Sequence, residues 1–208
     1  MPHTLYPIQE PNVYALDVAL LLPPILQRQI IRLNSMLSPP PDGFLFNEYN
    51  LPHITLSQFF VTSTNYSECQ KVITSIADNF RPISIRTGEV TRGQTASTIE
   101  IEPNESLIEL HTQLMDKLKN LESELGDHSA FSSNSPSPRP ADVKWVKQFR
   151  KQAAYNNFSP HVTVGIGHLS RPCPPTHVLA TTIATCHLGR FCTCSRVFDS
   201  WTLTVTSL

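Results

Sequence analysis

The strongest constraint on this chain is a five-residue phrase that occurs twice. Pro52-His53-Ile54-Thr55-Leu56 is matched by Pro160-His161-Val162-Thr163-Val164, with 108 positions from one histidine to the other. Each phrase alternates polar and apolar side chains after a proline, the pattern of a strand buried on one face. Residues i and i+2 of a strand project from the same face, roughly 6.6 Å apart along the backbone. His53 therefore points with Thr55, and His161 with Thr163, while Ile54, Leu56, Val162 and Val164 face the core. A slip of one residue would bury both imidazoles, so the apolar positions fix which side chains are presented.

Two such pairs suit phosphodiester cleavage without a metal. One imidazole takes a proton from the attacking oxygen and the other gives one to the leaving oxygen, and histidine is the side chain whose ordinary pKa allows both near neutrality. Two threonine hydroxyls beside them can donate to the non-bridging phosphate oxygens as charge redistributes in the transition state. His3, His111, His128, His168, His177 and His187 lack a threonine at i+2 and read as surface or structural. Ser57, next on the strand face after Thr55, and Gly165, its counterpart beyond Thr163, are expected on the groove floor.

These residues resemble the two-histidine (2H) phosphoesterase superfamily, marked by paired His-x-Thr/Ser motifs. Within it they are most similar to the RNA 2',3'-cyclic phosphodiesterase group, also called the 2'-5' RNA ligase family. The resemblance implies an α+β fold of two pseudo-symmetric lobes of antiparallel sheet with outer helices, the two His-x-Thr strands facing a central groove. It implies His53 and His161 as catalytic residues, Thr55 and Thr163 as phosphate-binding residues, and neither metal nor cofactor. The implied reaction is attack of water on a 2',3'-cyclic phosphate, at an RNA end or in a small nucleotide, to give a 2'-phosphomonoester. His53 would protonate the 3' leaving oxygen and His161 would activate water, although pseudo-symmetry makes the two interchangeable in sequence. Microscopic reversibility lets the same site catalyse 2'-5' ligation. A 2'-5' oligonucleotide, an ADP-ribose cyclic phosphate, and a module that grips RNA ends without turnover are the alternatives.

Composition narrows the partners. With 208 residues, 16% charged and a formal net charge of −1, the chain has no broad basic face for long nucleic acid, where phosphate neutralisation dominates binding. An RNA end or a small nucleotide fits better, with no obligate protein partner, and a monomer is expected. The start Met1-Pro2-His3 does not read as a secretory signal, and the most apolar run, Val13 to Leu22, is too short to span a bilayer and contains Asp17. A soluble, cytoplasmic protein is therefore expected. Cys173, Cys186, Cys192 and Cys194 crowd the last stretch of the chain, but their spacing matches no Cys-x2-Cys knuckle, so they read as reduced structural thiols and not as zinc ligands.

The order of elements predicts a single bilobal domain over residues 1–208. Val13 to Leu22 reads as a central strand, closed by Pro23-Pro24, which opens a helix from about Ile25 to Leu37. The first motif strand runs from His53 to about Val61, and a helix from Ser67, its candidate cap, to about Phe80. Ile83 to Val90 and Ser97 to Ile101 form a hairpin around Gly93. Glu105 to Leu125 is the longest helix, stopped by Gly126, with Leu107, Leu110, Leu114, Leu118 and Leu121 as a core stripe. Residues 127–142 are rich in Ser, Pro, Asn and Asp and read as a mobile loop. Trp145, Phe149, Tyr155 and Phe158, interleaved with Lys144, Lys147, Arg150 and Lys151, offer an RNA end base stacking and phosphate contacts; the favoured reading for the aromatics is an amphipathic helix from about Ala141 to Ala153 that buries Trp145 and Phe149, with the basic residues still available near the groove. Arg171 to Pro175 marks a turn, Val178 to Ala184 is helix or strand, and Cys186 to Cys194 and Val197 to Val205 are closing antiparallel strands.

Overall fold

The computed structural model describes residues 12–47, 50–93, 95–169 and 174–204. Met1, Pro2, His3, Arg171, Pro172, Cys173 and Val205, which enter the expectations above, lie outside them. Among the described residues eight strands and four α-helices follow in the order β1 (Val13–Leu21), α1 (Pro24–Asn34), β2 (His53–Thr62), α2 (Ser63–Ala77), β3 (Ile83–Arg92), β4 (Ala96–Ile101), α3 (Glu105–Leu118), α4 (Pro140–Gln152), β5 (His161–Ile166), β6 (His177–Ala180), β7 (Thr182–Leu188) and β8 (Cys194–Thr202). They build two four-stranded antiparallel sheets, ordered β2-β1-β7-β8 and β5-β4-β3-β6. The α+β architecture with one motif strand per sheet is the one the repeat demands.

Three of the four α-helices described cross between the sheets, while α2 packs on β2 and β8 of its own sheet. The helix α1, which follows β1 in the chain, packs on β5, whereas α3 and α4, which follow β4, pack on β2. The motif strand β5 is thus supported by a helix that belongs in sequence to the other sheet, and β2 mainly by two such helices. Ile54, Leu56, Val162 and Val164 are all fully buried in one shared core with Leu107, Leu110, Leu114 and Leu118.

Several boundaries differ from the sequence pattern for local reasons. The cap of α2 is Thr62, whose hydroxyl accepts from Asn65 N at 3.2 Å, so the helix starts at Ser63 and Ser67 lies inside it. The α3 helix, capped by Asn104, ends at Leu118 with a single 3-10 turn beyond, well short of Gly126. Two contacts pull the chain away there: Ser123 N donates to Phe60 O at 2.7 Å, and Glu122 pairs with Arg150. Gly126 serves close packing instead, since a Cβ there would stand 1.9 Å from Phe60 Cγ.

Composition misjudged residues 127–142. Ala130, Phe131 and Ser132 are buried, Phe131 meets the Phe60 ring edge-on at 6.0 Å, and Ser132 N donates to Leu188 O at 2.8 Å. Two apolar side chains suffice to anchor a Ser/Pro-rich stretch when a sheet offers them a slot. The ambiguous segment Val178 to Ala184 holds the end of β6 and the start of β7, and the stretch from Cys186 to Cys194 is not one strand: it takes in the end of β7, a turn and the first residue of β8. That turn brings Cys186 and Cys194 together as a disulfide, Cα to Cα 5.2 Å, correcting the expectation of reduced thiols for this pair; Cys69 and Cys192 are free. Pairing of β7 with β8 creates the proximity, which a spacing of eight residues alone does not imply. Among the described residues no helix is long and apolar enough to cross a membrane.

Candidate active site

The two motif strands carry the same irregularity at the same place. Thr55 pairs with Ala19 and Ser57 with Val18, which leaves Leu56 as an extra residue in β2; Thr163 pairs with Thr98 and Gly165 with Ser97, which leaves Val164 extra in β5. A bulge of one residue reverses the alternation beyond it. The next side chains on the groove face are therefore Gln58 and Ile166, and not Ser57 and Gly165 as strict alternation predicts. Ser57 is fully buried, and Gly165 makes room for α1: a Cβ there would lie 2.9 Å from both Asn34 Nδ2 and Leu37 Cδ1.

Each extra residue has its carbonyl taken by a buried side chain from a supporting helix. His111 Nδ1 donates to Leu56 O at 2.7 Å, and Asn34 Nδ2 donates to Val164 O at 2.8 Å. His111 Nε2 accepts from Tyr155 N at 2.9 Å, and its ring stacks on Phe158 at 3.8 Å. A ring that accepts at Nε2 and donates at Nδ1 is neutral, and burial holds its pKa below the ordinary 6.5 despite the Leu56 carbonyl. His187, buried against Ala130 O, is depressed likewise, burial again being the leading cause. An unfolded histidine binds its proton more readily than these do, so their stabilisation is full above about pH 6.5 and is lost as pH falls towards the folded values. Thermal melts between about pH 5 and 7 should show Tm falling in acid; a flat profile would mean that neither ring is held neutral.

Both motif histidines are oriented alike. His53 Nδ1 donates to Leu51 O and His161 Nδ1 to Ser159 O, each at 2.8 Å and each across the intervening proline. Nε2 is left as the nitrogen available for chemistry on both rings. His53, Thr55, His161 and Thr163 line one cavity of about 700 Å³ between the sheets, so the four residues singled out by the repeat are brought together.

Around that symmetric frame the surroundings are unequal. Asp17, fully buried in β1, places Oδ2 2.8 Å from the Thr55 hydroxyl, which donates to it, and 2.6 Å from Gln58 Nε2; His53 Nε2 is 3.4 Å from the same oxygen. Trp145 Nε1 donates to Gln58 Oε1 at 2.9 Å and extends the network to the cavity wall. Burial disfavours the charged form of His53, but the hydrogen bond and charge of Asp17 and the Leu51 carbonyl outweigh it, and the pKa is raised above 6.5. His161 Nε2 and the Thr163 hydroxyl have no hydrogen-bond partner among the described residues.

The walls are aromatic: Phe44, Phe46, Trp145, Phe149, Phe158 and Phe191 all reach the cavity. Trp145 is 39% exposed and not buried as helical spacing suggested, because α4 turns that face towards the groove. Lys144, Lys147, Arg150 and Lys151 do not reach the cavity, and Arg150 is engaged by Glu122, Tyr155 and Met115 O. The cation present is Arg139, stacked 4.1 Å over the Phe191 ring and paired with Asp142 at 2.6 Å. Phe191 sits at φ 63°, ψ 20°, a left-handed conformation that Asp142 steadies by accepting from Phe191 N at 3.1 Å. Sequence reasoning missed Asp17, Gln58, Arg139 and Phe191. A lone charge inside an apolar central strand was the available signal for Asp17; the others depend on the bulge and on the β7–β8 turn. Among the described residues no group of three or more His, Cys, Asp or Glu side chains is placed to hold a metal ion.

Paired imidazoles and hydroxyls from the two sheets line one cleft, the arrangement expected of a two-histidine phosphoesterase. The chain belongs to the 2'-5' RNA ligase superfamily, whose family model matches residues 48–182, more than half of its length. Solved structures share the fold. TT0787 of Thermus thermophilus aligns with a TM-score of 0.59 at 15% identity over 93% of this chain and 100% of that one. E. coli LigT complexed with NADP+ gives 0.59 at 17% over 93% and 99%, and its complex with 3'-AMP gives 0.54 at 18% over the same shares. No curated protein matches the chain in sequence.

Proposed function

We propose that this protein is a metal-independent phosphoesterase that opens a 2',3'-cyclic phosphate, at an RNA end or in a small nucleotide, to a 2'-phosphomonoester. The observation that carries this reading is the pair of imidazoles, pinned alike through Nδ1 and lining one cavity with unlike surroundings at Nε2. His161 Nε2, without a protein partner among the described residues, takes the proton of water as its oxygen bonds to phosphorus. The O3'–P bond breaks, and His53 Nε2, beside a carboxylate, returns a proton to O3'. Thr163, and Thr55 once its hydroxyl turns, donate to the non-bridging oxygens. The cavity volume lies in the range of small-ligand sites, and its aromatic walls offer a base a flat surface. Arg139 is already paired, so little charge is left for a long polyanion. The same fold in E. coli LigT carries NADP+ and 3'-AMP, which supports a nucleotide-sized ligand here.

The test is a panel of 2',3'-cyclic mononucleotides, cyclic-phosphate RNA ends, 2'-5' dinucleotides and ADP-ribose 1'',2''-cyclic phosphate, assayed in EDTA from about pH 5 to 9 with products assigned by phosphorus NMR. Opening to the 2'-phosphate, indifferent to chelator, is expected. The bell-shaped profile should have an alkaline limb above pH 6.5, because the raised pKa of His53 keeps the acid protonated past that value. Loss of activity in EDTA with recovery on zinc or magnesium would overturn the mechanism. Cleavage of 2'-5' dinucleotides alone would overturn the substrate, and tight binding of RNA ends without turnover would make the chain a binding module.

A further inference from the structure

Asp17 is a fully buried carboxylate in the centre of a sheet, where burying charge is costly unless donors surround it. Its Oδ2 is the meeting point of Thr55, Gln58 and His53, while its Oδ1 is buried with no partner among the described residues. The mirrored bulges also identify the corresponding position in the other sheet: Asp17 pairs with Gln58, three residues after Thr55, and Ala96 pairs with Ile166, three residues after Thr163. Ala96 lines the same cavity, where its methyl side chain offers neither charge nor a hydrogen bond.

We propose that Asp17 is a positioning residue that makes two otherwise interchangeable histidines unequal: it holds a proton on His53 Nε2 and keeps the Thr55 hydroxyl turned from the ligand, so that Thr163 meets the phosphate first. Its catalytic consequence rests on the phosphoesterase reading above. Besides Asp17 from β1, the titratable or charged groups sharing the cavity with His53 are His161 from β5, Arg139 and Asp142 at the start of α4, and Cys192 from the β7–β8 turn. Arg139 and Asp142 face each other as a pair, and among the described residues Asp17 is the group in ion-pair range of His53. Opposite His161, the exposed Glu100 of β4 is the cross-strand neighbour, and no ion pair joins them. The raised pKa of His53 agrees with this division.

Asp17→Asn keeps the shape and removes the charge. Read by nitrogen-15 NMR of the imidazole side chains without substrate, the His53 titration midpoint should fall by about one unit or more, and that of His161 should stay. In kinetics kcat should fall with KM little changed, and the alkaline limb should move to lower pH. Ala96→Asp places a carboxylate at the mirrored position, so the His161 midpoint should rise and activity in mild acid should be lost; it carries the same test should Asp17→Asn not fold. An unmoved His53 midpoint in folded Asp17→Asn, or an unmoved His161 midpoint in folded Ala96→Asp, overturns the assignment. The NMR midpoints need no substrate, so failure of the proposed reaction is seen separately in the product assay.

Discussion

Alanine in place of His161 is expected to lower turnover by at least about a hundredfold, the usual contribution of a positioned acid or base, while substrate still binds. The ring is the more exposed of the two and anchors nothing beyond its own Nδ1 contact to Ser159 O, so the fold should survive its removal. His53→Ala should have a comparable effect on turnover, with some loss of stability because it also uncovers buried Asp17. Single-turnover kinetics on a verified substrate, with melting curves as control, decide the matter. A folded His161 variant with near wild-type turnover removes that residue from the reaction.

The second large effect is expected at Thr163. Valine keeps the β-branched shape of the strand residue and deletes a hydroxyl that no protein group engages among the described residues. Loss of a well-aimed donor to phosphate costs about 3 kcal/mol of transition-state stabilisation, which is on the order of a hundredfold in kcat. Thr55→Val should cost less in the transition state, since its hydroxyl is already donated to Asp17. Equal losses at the two positions, or none at Thr163, would show that the hydroxyls are not divided in this way.

The paired phrases made the motif strands, their buried faces and the meeting of four side chains legible in the residues alone, because a period of two and a repeat spacing are local properties. What lay one step beyond the motifs was not legible. A bulge adds a residue without changing composition, so Ser57 and Gln58 look alike on paper until the register with β1 is known. Helix ends were misplaced where a tertiary contact stopped them, as Phe60 O does near Ser123, and not where a glycine stood. His111 offered no motif, since its value lies in a carbonyl 55 residues away. Asp17 was visible as an anomaly in an apolar run, but its meaning required knowing which strand faced it.

The strand orders have a consequence for how the molecule comes into being. The sheet bearing His161 is drawn from the unbroken stretch 83–180, whereas the sheet bearing His53 joins residues 13–62 to residues 182–202. On the ribosome, the edge of β1 that accepts β7 stays open until residues 182–188 have emerged, and an open apolar strand edge invites pairing with the wrong chain. That exposed interval includes Asp17, whose own ladder partner is Cys186. The His53 half of the cleft is thus the late half, dependent on contacts of long sequence separation that fold slowly, and the nascent chain carries one finished half-site before it can possess two.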